Sequence, residues 1–201
     1  MNSSRVTEGL QALAALAARS TALAEDVTRV AERYAETLRA GGTLFFAGNG
    51  GSAADAQHVA TEYVVRYRAD RPAYAAIALT TDTSLLTAAG NDFGFDQLFA
   101  RQVEALCRPG DLLILHSTSG QSTNLLLAAR AARARGAGTI GFLGRGGGAL
   151  RELVDIALVI QSEETSHIQE IHLALEHIIC EMVEDALAGS GTAVRREKGT
   201  A

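Results

Sequence analysis

The 201-residue chain is poor in cysteine and proline, with two of each. Cys107 and Cys180 lie far apart with no CxxC spacing, each in an apolar run, which excludes a disulfide scaffold and a thiolate metal knuckle and predicts two buried free thiols in a reducing compartment. With so little proline, no linker-like tract and no internal repeat, the chain offers no domain boundary, and a single domain over residues 1–188 is expected. Long apolar runs are missing as well: nothing approaches the roughly 18 residues of a membrane span. The Ala/Leu stretch at 10–18 follows Glu8, and its leucines recur at helical spacing, so it reads as a helix and not as a signal-peptide core. Nor is there a surplus of positive charge. Eighteen basic against 23 acidic side chains give a net charge of -5, which leaves no field to gather nucleic acid or anionic lipid. The class left is a cytoplasmic enzyme or regulator with neither nucleic acid nor membrane as partner.

What is present is an ordinary globular composition, 47% apolar and 20% charged. At this length roughly 70% of the unfolded surface can be buried, enough for a core that needs no staples. Val6, Leu10, Leu13 and Ala17 form one apolar stripe, and Leu23, Val27, Val30, Ala31, Tyr34 and Leu38 a second, so amphipathic helices are expected over residues 3–40. From residue 43 the pattern changes to short apolar runs bounded by glycine or polar turns, at 43–47, 76–79, 111–115, 139–143 and 155–160. Helical patterns between most of them indicate βαβ units and a parallel sheet covered on both faces. The last gap has room only for a short connection. A long helix is predicted from Ser166 to Leu187, and residues 189–201, without periodicity, read as a flexible tail.

Two strand ends carry the chemistry. The first runs into Gly48-Asn49-Gly50-Gly51-Ser52, where glycines let backbone approach a ligand and the amides of the next helix favour an anion or hydroxyls. Ser52 with Asp55 also fits a capping box, the plainer reading of this turn. The third ends in His116-Ser117-Thr118-Ser119-Gly120-Gln121-Ser122, with four hydroxyls at the carboxyl end of a buried parallel strand, where open α/β sheets place ligands. With no lysine or arginine in it, such a cradle suits a phosphate monoester better than a triphosphate with magnesium. His58 and Glu62, four apart on one helix, project from one face and could share a metal, or form a solvated pair. Gln169, His172 and His177 share the last helix, where Gln169 also completes a capping box with Ser166.

Together these segments resemble the phosphoheptose isomerase family of the sugar isomerase (SIS) domain superfamily. The matching stretches are GNGGSAADAQH (48–58), IALTTDTS with LTAAGNDFGF (77–95), RQVEAL then PGDLLI (101–114), STSGQS (117–122) and HIQEIHLALEHIICEMVE (167–184), and the resemblance runs from about residue 5 to 188. It implies an α/β three-layer α/β/α sandwich with a five-stranded parallel sheet preceded by N-terminal helices. It further implies a homotetramer, and one Zn2+ per subunit serving the conversion of sedoheptulose 7-phosphate to D-glycero-D-manno-heptose 7-phosphate. Carried over residue by residue, His58, Glu62, Gln169 and His177 are the metal ligands, with Glu62 and His177 also moving the protons. Asn49, Gly50, Gly51, Asn91, Asp92 and Gln169 hold the sugar, and Ser117, Thr118, Ser119 and Ser122 the phosphate. Aldose-ketose isomerisation proceeds through an enediol and needs a base, an acid and an electrophile, which these residue types provide.

The chain departs from the family pattern at Leu115 and His116, where smaller residues are usual, at Gln121 in place of a common asparagine, and after Glu62 in the run to Tyr67. A second reading is a non-catalytic SIS protein, a tetrameric assembly factor for the bacterial replication initiator, which has no need to retain all four ligand-type residues. Helix geometry adds a constraint. Eight residues at about 1.5 Å each put the Cα atoms of Gln169 and His177 roughly 12 Å apart and about 80° around the axis. For both to reach one ion, the helix must start after Gln169, distort in its first turn, or draw the two ligands from different subunits; the last is expected. The Val6, Leu10 and Leu13 stripe is expected at a subunit interface.

Overall fold

The short apolar runs form five parallel strands in the computed structural model, which describes residues 3–188; the tail expected at 189–201 lies outside the described residues. Helices α1 (Ser3–Ser20) and α2 (Ala24–Arg39) open the chain, joined by a 3-10 turn at Thr21–Leu23. Then follow β1 (Leu44–Gly48), α3 (Gly51–Val64), β2 (Ala76–Ala78), α4 (Thr83–Phe93), α5 (Leu98–Leu106), β3 (Leu112–Ser117), α6 (Thr123–Ala134), β4 (Gly138–Gly144), β5 (Ile156–Ile160) and α7 (Thr165–Ala188). The expected strands are all found, within one or two residues at each end. The short last connection, residues 145–155, holds 3-10 turns at Arg145–Gly147 and Ala149–Glu152 and no α-helix.

Parallel strands buried on both sides must be apolar on both. Leu44, Phe46, Leu112, Ile114, Ile140, Phe142, Leu158 and Ile160 point to one layer with α1, α2, α3 and α7. Phe45, Ala47, Leu113, Leu115, Leu143 and Val159 point to the other, with α4, α5 and α6. The α2 stripe is buried as its periodicity requires, Val30 and Tyr34 completely. On α1 only Leu16 is buried, while Val6 and Leu10 are each 64% exposed, so the first two turns of that stripe face away from this chain's core. The amino ends of the strands are pinned by carboxylates: Asp111 accepts from the Thr43 amide at 2.8 Å, and Asp155 from the Thr139 amide at 2.8 Å and hydroxyl at 3.0 Å.

The strand order is β2-β1-β3-β4-β5. From the adjacent strands β1 and β3 the chain leaves toward opposite faces, since α3 packs in the first layer and α6 in the second. That opens a crevice at their carboxyl ends, the switch point where this order places ligands. In the register Gly48 lies opposite His116, so the glycine loop and the hydroxyl loop face each other across it.

Candidate active site

The crevice is a cleft of about 230 Å³ lined by Asn49, Gly51, Ser52, His116, Ser117, Thr118, Ser119, Ser122, Thr165 and Gln169. Asn49 and Asn124 exchange side-chain amide hydrogen bonds at 3.0 and 2.8 Å, tying the two loops together. Gly50 takes φ +58 as the N-cap of α3 with no side-chain cap, so the Ser52/Asp55 capping box does not form. Ser52 is buried and its hydroxyl accepts from Gln169 Nε2 at 3.3 Å. A Cβ on Gly51 would sit 2.6 Å from that same nitrogen. In the other loop the Ser117 hydroxyl accepts the Gly120 amide and the Ser119 hydroxyl the Gln121 amide. Gly120 has φ +63, and a Cβ there would lie 1.9 Å from the Gly147 carbonyl oxygen, so the loop needs glycine. Hydroxyls on a short loop, with the start of α6 behind them, suit phosphate oxygens.

Where α3 packs on α7, His58, Glu62 and His177 come together: one ligand atom from each lies within 4.8 Å of the others. His58 Nε2 is 2.9 Å from His177 Nε2 and 3.5 Å from Glu62 Oε1. The four-residue spacing read from the sequence is joined by a residue 119 positions away, so that the His58–Glu62 pair, which does form with His58 half exposed, becomes part of a three-residue group that could hold a metal. Two imidazole nitrogens and one carboxylate oxygen at these separations fit a tetrahedral divalent cation, whose bonds of about 2.1 Å put neighbouring ligands roughly 3.4 Å apart. Tyr67, in the departing run after α3, stacks on His177 with centroids 5.6 Å apart and 17° between planes. That run is held by Glu184, which accepts the amides of Tyr67, Arg68 and Ala69 and the Arg71 guanidinium at 2.8–3.0 Å. Burial raises the Glu184 pKa, but these bonds outweigh it and leave it below the ordinary carboxylate value.

Gln169 lies in the cleft beside Ser52, and α7 begins at Thr165, so the helix does not start after Gln169. Because α7 begins at Thr165, Ser166 lies inside the helix and not at its N-cap, so the capping box with Gln169 does not form. Asn91 and Asp92 are brought into neither cleft nor trio: they are exposed at the end of α4, hydrogen-bonded to each other at 2.7 Å, and Asp92 lines a separate groove between α4 and α5.

Three buried residues extend the site beneath the cleft. His116 and Glu176 are fully buried and 3.1 Å apart, and the Tyr34 hydroxyl donates to the same Glu176 oxygen at 3.2 Å. Asp55, on the inner side of α3, has its pKa raised by burial against the opposing pull of His116 and His58. His172 contacts the Leu143 carbonyl at 3.1 Å, and burial, then His116, lower its pKa to about 3; it is a neutral core residue. The sequence signal for Glu176 was a charged residue at i+4 from His172 on an otherwise apolar helix face. Cys107 and Cys180 are free and buried, and burial pushes the Cys107 thiol up to about 12, away from thiolate reactivity.

Residues 10–144 match the SIS domain family. The chain is 57% identical over 173 residues, 86% of its length and 87% of the relative's, to the phosphoheptose isomerase of a Bradyrhizobium species. Its fold matches the solved structure of phosphoheptose isomerase GmhA from Neisseria gonorrhoeae with a TM-score of 0.87 at 39% identity, covering 91% of this chain and 98% of that one. A phosphoheptose isomerase from Francisella tularensis gives 0.89 at 33% identity, over 92% and 100%.

Proposed function

The chain belongs to the phosphoheptose isomerase family of SIS-domain proteins and is a sugar-phosphate isomerase, and on that premise we propose that it converts sedoheptulose 7-phosphate to D-glycero-D-manno-heptose 7-phosphate with the help of zinc. The observation that carries this reading is the convergence of His58, Glu62 and His177 on α3 and α7, the two helices that also bring Gly51, Ser52 and Gln169 to the hydroxyl-lined cleft at the sheet's switch point. The donor set fits zinc, with Gln169 as fourth ligand. The ion would supply an electrophile that polarises the oxygens on C1 and C2.

Glu62 takes the proton from C1 of the ketose and returns it to C2, while His177 relays the proton that leaves the C1 hydroxyl and appears on the C2 oxygen. The change needs no redox partner, since one carbon-bound and one oxygen-bound proton pass from C1 to C2 as the carbonyl passes from C2 to C1. Ser117, Thr118, Ser119 and Ser122 hold the phosphate, and Asn49, Gly50 and Gly51 the sugar hydroxyls. The reading places the enzyme in the cytoplasm as a homotetramer. Asn91, Asp92 and the exposed Val6 and Leu10 lie away from this chain's own cleft and are then available to a neighbouring subunit. If Gln169 and His177 reach one zinc from different subunits, mixing Gln169→Ala and His177→Ala tetramers under subunit exchange restores part of the activity. No recovery despite verified exchange would show that each chain builds its site alone.

The assembly-factor reading has no observation in its favour: three ligand-type side chains converge, and the relatives described above carry isomerase names. Conversion is tested by incubating the purified protein with sedoheptulose 7-phosphate and following the aldose by NMR. Aldose formation is expected, and its absence with zinc present overturns the assignment.

A further inference from the structure

His116 ends β3's inward face one residue before the hydroxyl loop, stacked between Phe46 at 6.4 Å and Phe142 at 5.0 Å between centroids. A carboxylate only accepts, so the contact with Glu176 Oε1 places a proton on Nε2. Two aromatic faces and a buried carboxylate thus fix both the tilt of the ring and the use of one nitrogen. The other nitrogen, Nδ1, is buried and has no hydrogen-bond partner among the described residues, although His116 is part of the cleft lining. Leaving such an atom unpaired costs about 1–3 kcal/mol, and cores seldom tolerate it without a use. Among the residues lining the cleft, His116 is also the one that can carry a positive charge, in a site that has to receive a phosphate.

The geometry points to His116 Nδ1 as a substrate contact on the cleft floor, hydrogen-bonded to an oxygen of the phosphosugar, with Glu176 as the positioning residue that holds the ring. The identity of the ligand rests on the isomerase reading; the contact itself rests on the buried unpaired nitrogen. A phosphate oxygen only accepts, so meeting it requires an Nδ1–H, and the Glu176 carboxylate is then the counter-charge of the imidazolium. A sugar hydroxyl can donate to a bare Nδ1 instead.

The test uses the full-length zinc-loaded protein labelled with [15N]histidine, with the His116 signals assigned by their loss in His116→Asn. Inorganic phosphate and sedoheptulose 7-phosphate are added in separate titrations. A shift of the His116 Nδ1 resonance with phosphate places the contact at the phosphoryl group, a shift with the ketose phosphate alone places it at the sugar, and either supports the proposal. A resonance unmoved by both overturns it, whether or not the enzyme turns over; a shift with phosphate in a protein that forms no aldose would overturn the isomerase reading alone. Kinetics give a second readout. His116→Gln, which keeps a group only near the Nε2 position, should raise KM about tenfold with kcat nearly kept, and His116→Asn, which keeps one near Nδ1, should raise it less. In His116→Leu/Glu176→Met/Tyr34→Phe, the buried polar pair, its tyrosine donor and the orphan are all replaced by apolar packing, a change often neutral for stability. A folded triple variant with KM still raised is expected; one with wild-type KM would show that His116 only supports the fold.

Discussion

The two faces of the sheet are built from strands of the same composition and do different work. The layer under α4, α5 and α6 is apolar, and its buried glutamine, Gln102, is satisfied by the Leu79 and Leu98 carbonyls at 3.0 and 3.2 Å. The layer under α2, α3 and α7 holds the unpaired buried atoms of Asp55, Tyr63, His116, His172 and Glu176, and no such atom lies on the other face among the described residues. Metal-type trio and cleft floor both belong to the layer under α2, α3 and α7. One face therefore keeps its buried side-chain polar atoms paired, while the other accepts unpaired ones, that of His116 among the residues lining the cleft, the pattern expected of a functional site.

The largest effect that would break this division is Glu62→Gln. It should lower kcat by about 10²–10⁴-fold with little change in melting temperature, since its ion pair with His58 lies on a half-exposed partner and the substitution keeps the side chain's shape. Full turnover by this variant removes Glu62 from the proton transfer. On the other face, Leu113→Ala should cost about 2–5 kcal/mol in urea unfolding and leave the kcat/KM of the folded enzyme unchanged; a kinetic defect there would mean that the faces are not separate. Ser119→Ala should raise KM roughly tenfold with kcat retained, the loss of a hydrogen bond to a charged group. An unchanged KM argues against its phosphate role.

The smallest effect is a pH dependence. The folded pKa of His172, about 3, lies below its ordinary 6.5, so the unfolded chain binds the extra proton between these values. Stability is thus complete above pH 6.5 and declines as the pH falls toward 3. Glu184, also lowered, adds a loss at the acid end of that window. Urea midpoints at pH 7 and pH 5 should differ less in His172→Gln than in the wild type, and as much in Leu113→Ala as in the wild type. An equal slope in His172→Gln would place the acid sensitivity elsewhere.

Much of this was legible in the chain, because the features concerned are local. Strand runs such as 111–115 and the α2 stripe announce themselves by apolar period and flanking glycine. His58 and Glu62 were readable as a pair from four-residue spacing. Convergence was not: that His177 joins them depends on α3 packing against α7, and that His116 meets Glu176 depends on the strand register and the rotation of α7. Capping signals misled at Ser52 and Ser166: the glycine loop capped α3 with backbone, and α7 began at Thr165, while the Gln169 amide was drawn across the cleft to Ser52. Local hydrogen-bonding propensity yielded there to a tertiary contact. Asn91 and Asp92, recognised by motif, lie on another part of the surface because α4 carries them away from the switch point.

The central claim is that the trio between α3 and α7 is a metal centre on which proton transfer depends. The direct measurement is the NMR spectrum of sedoheptulose 7-phosphate in D2O with protein stripped by a chelator and then reloaded with zinc. The stripped protein should keep its circular dichroism, form no aldose and place no deuterium on C1 or C2, and zinc should restore all three reactions of the untreated enzyme: aldose formation and exchange at each carbon. Full turnover and exchange by the metal-free protein would contradict the account.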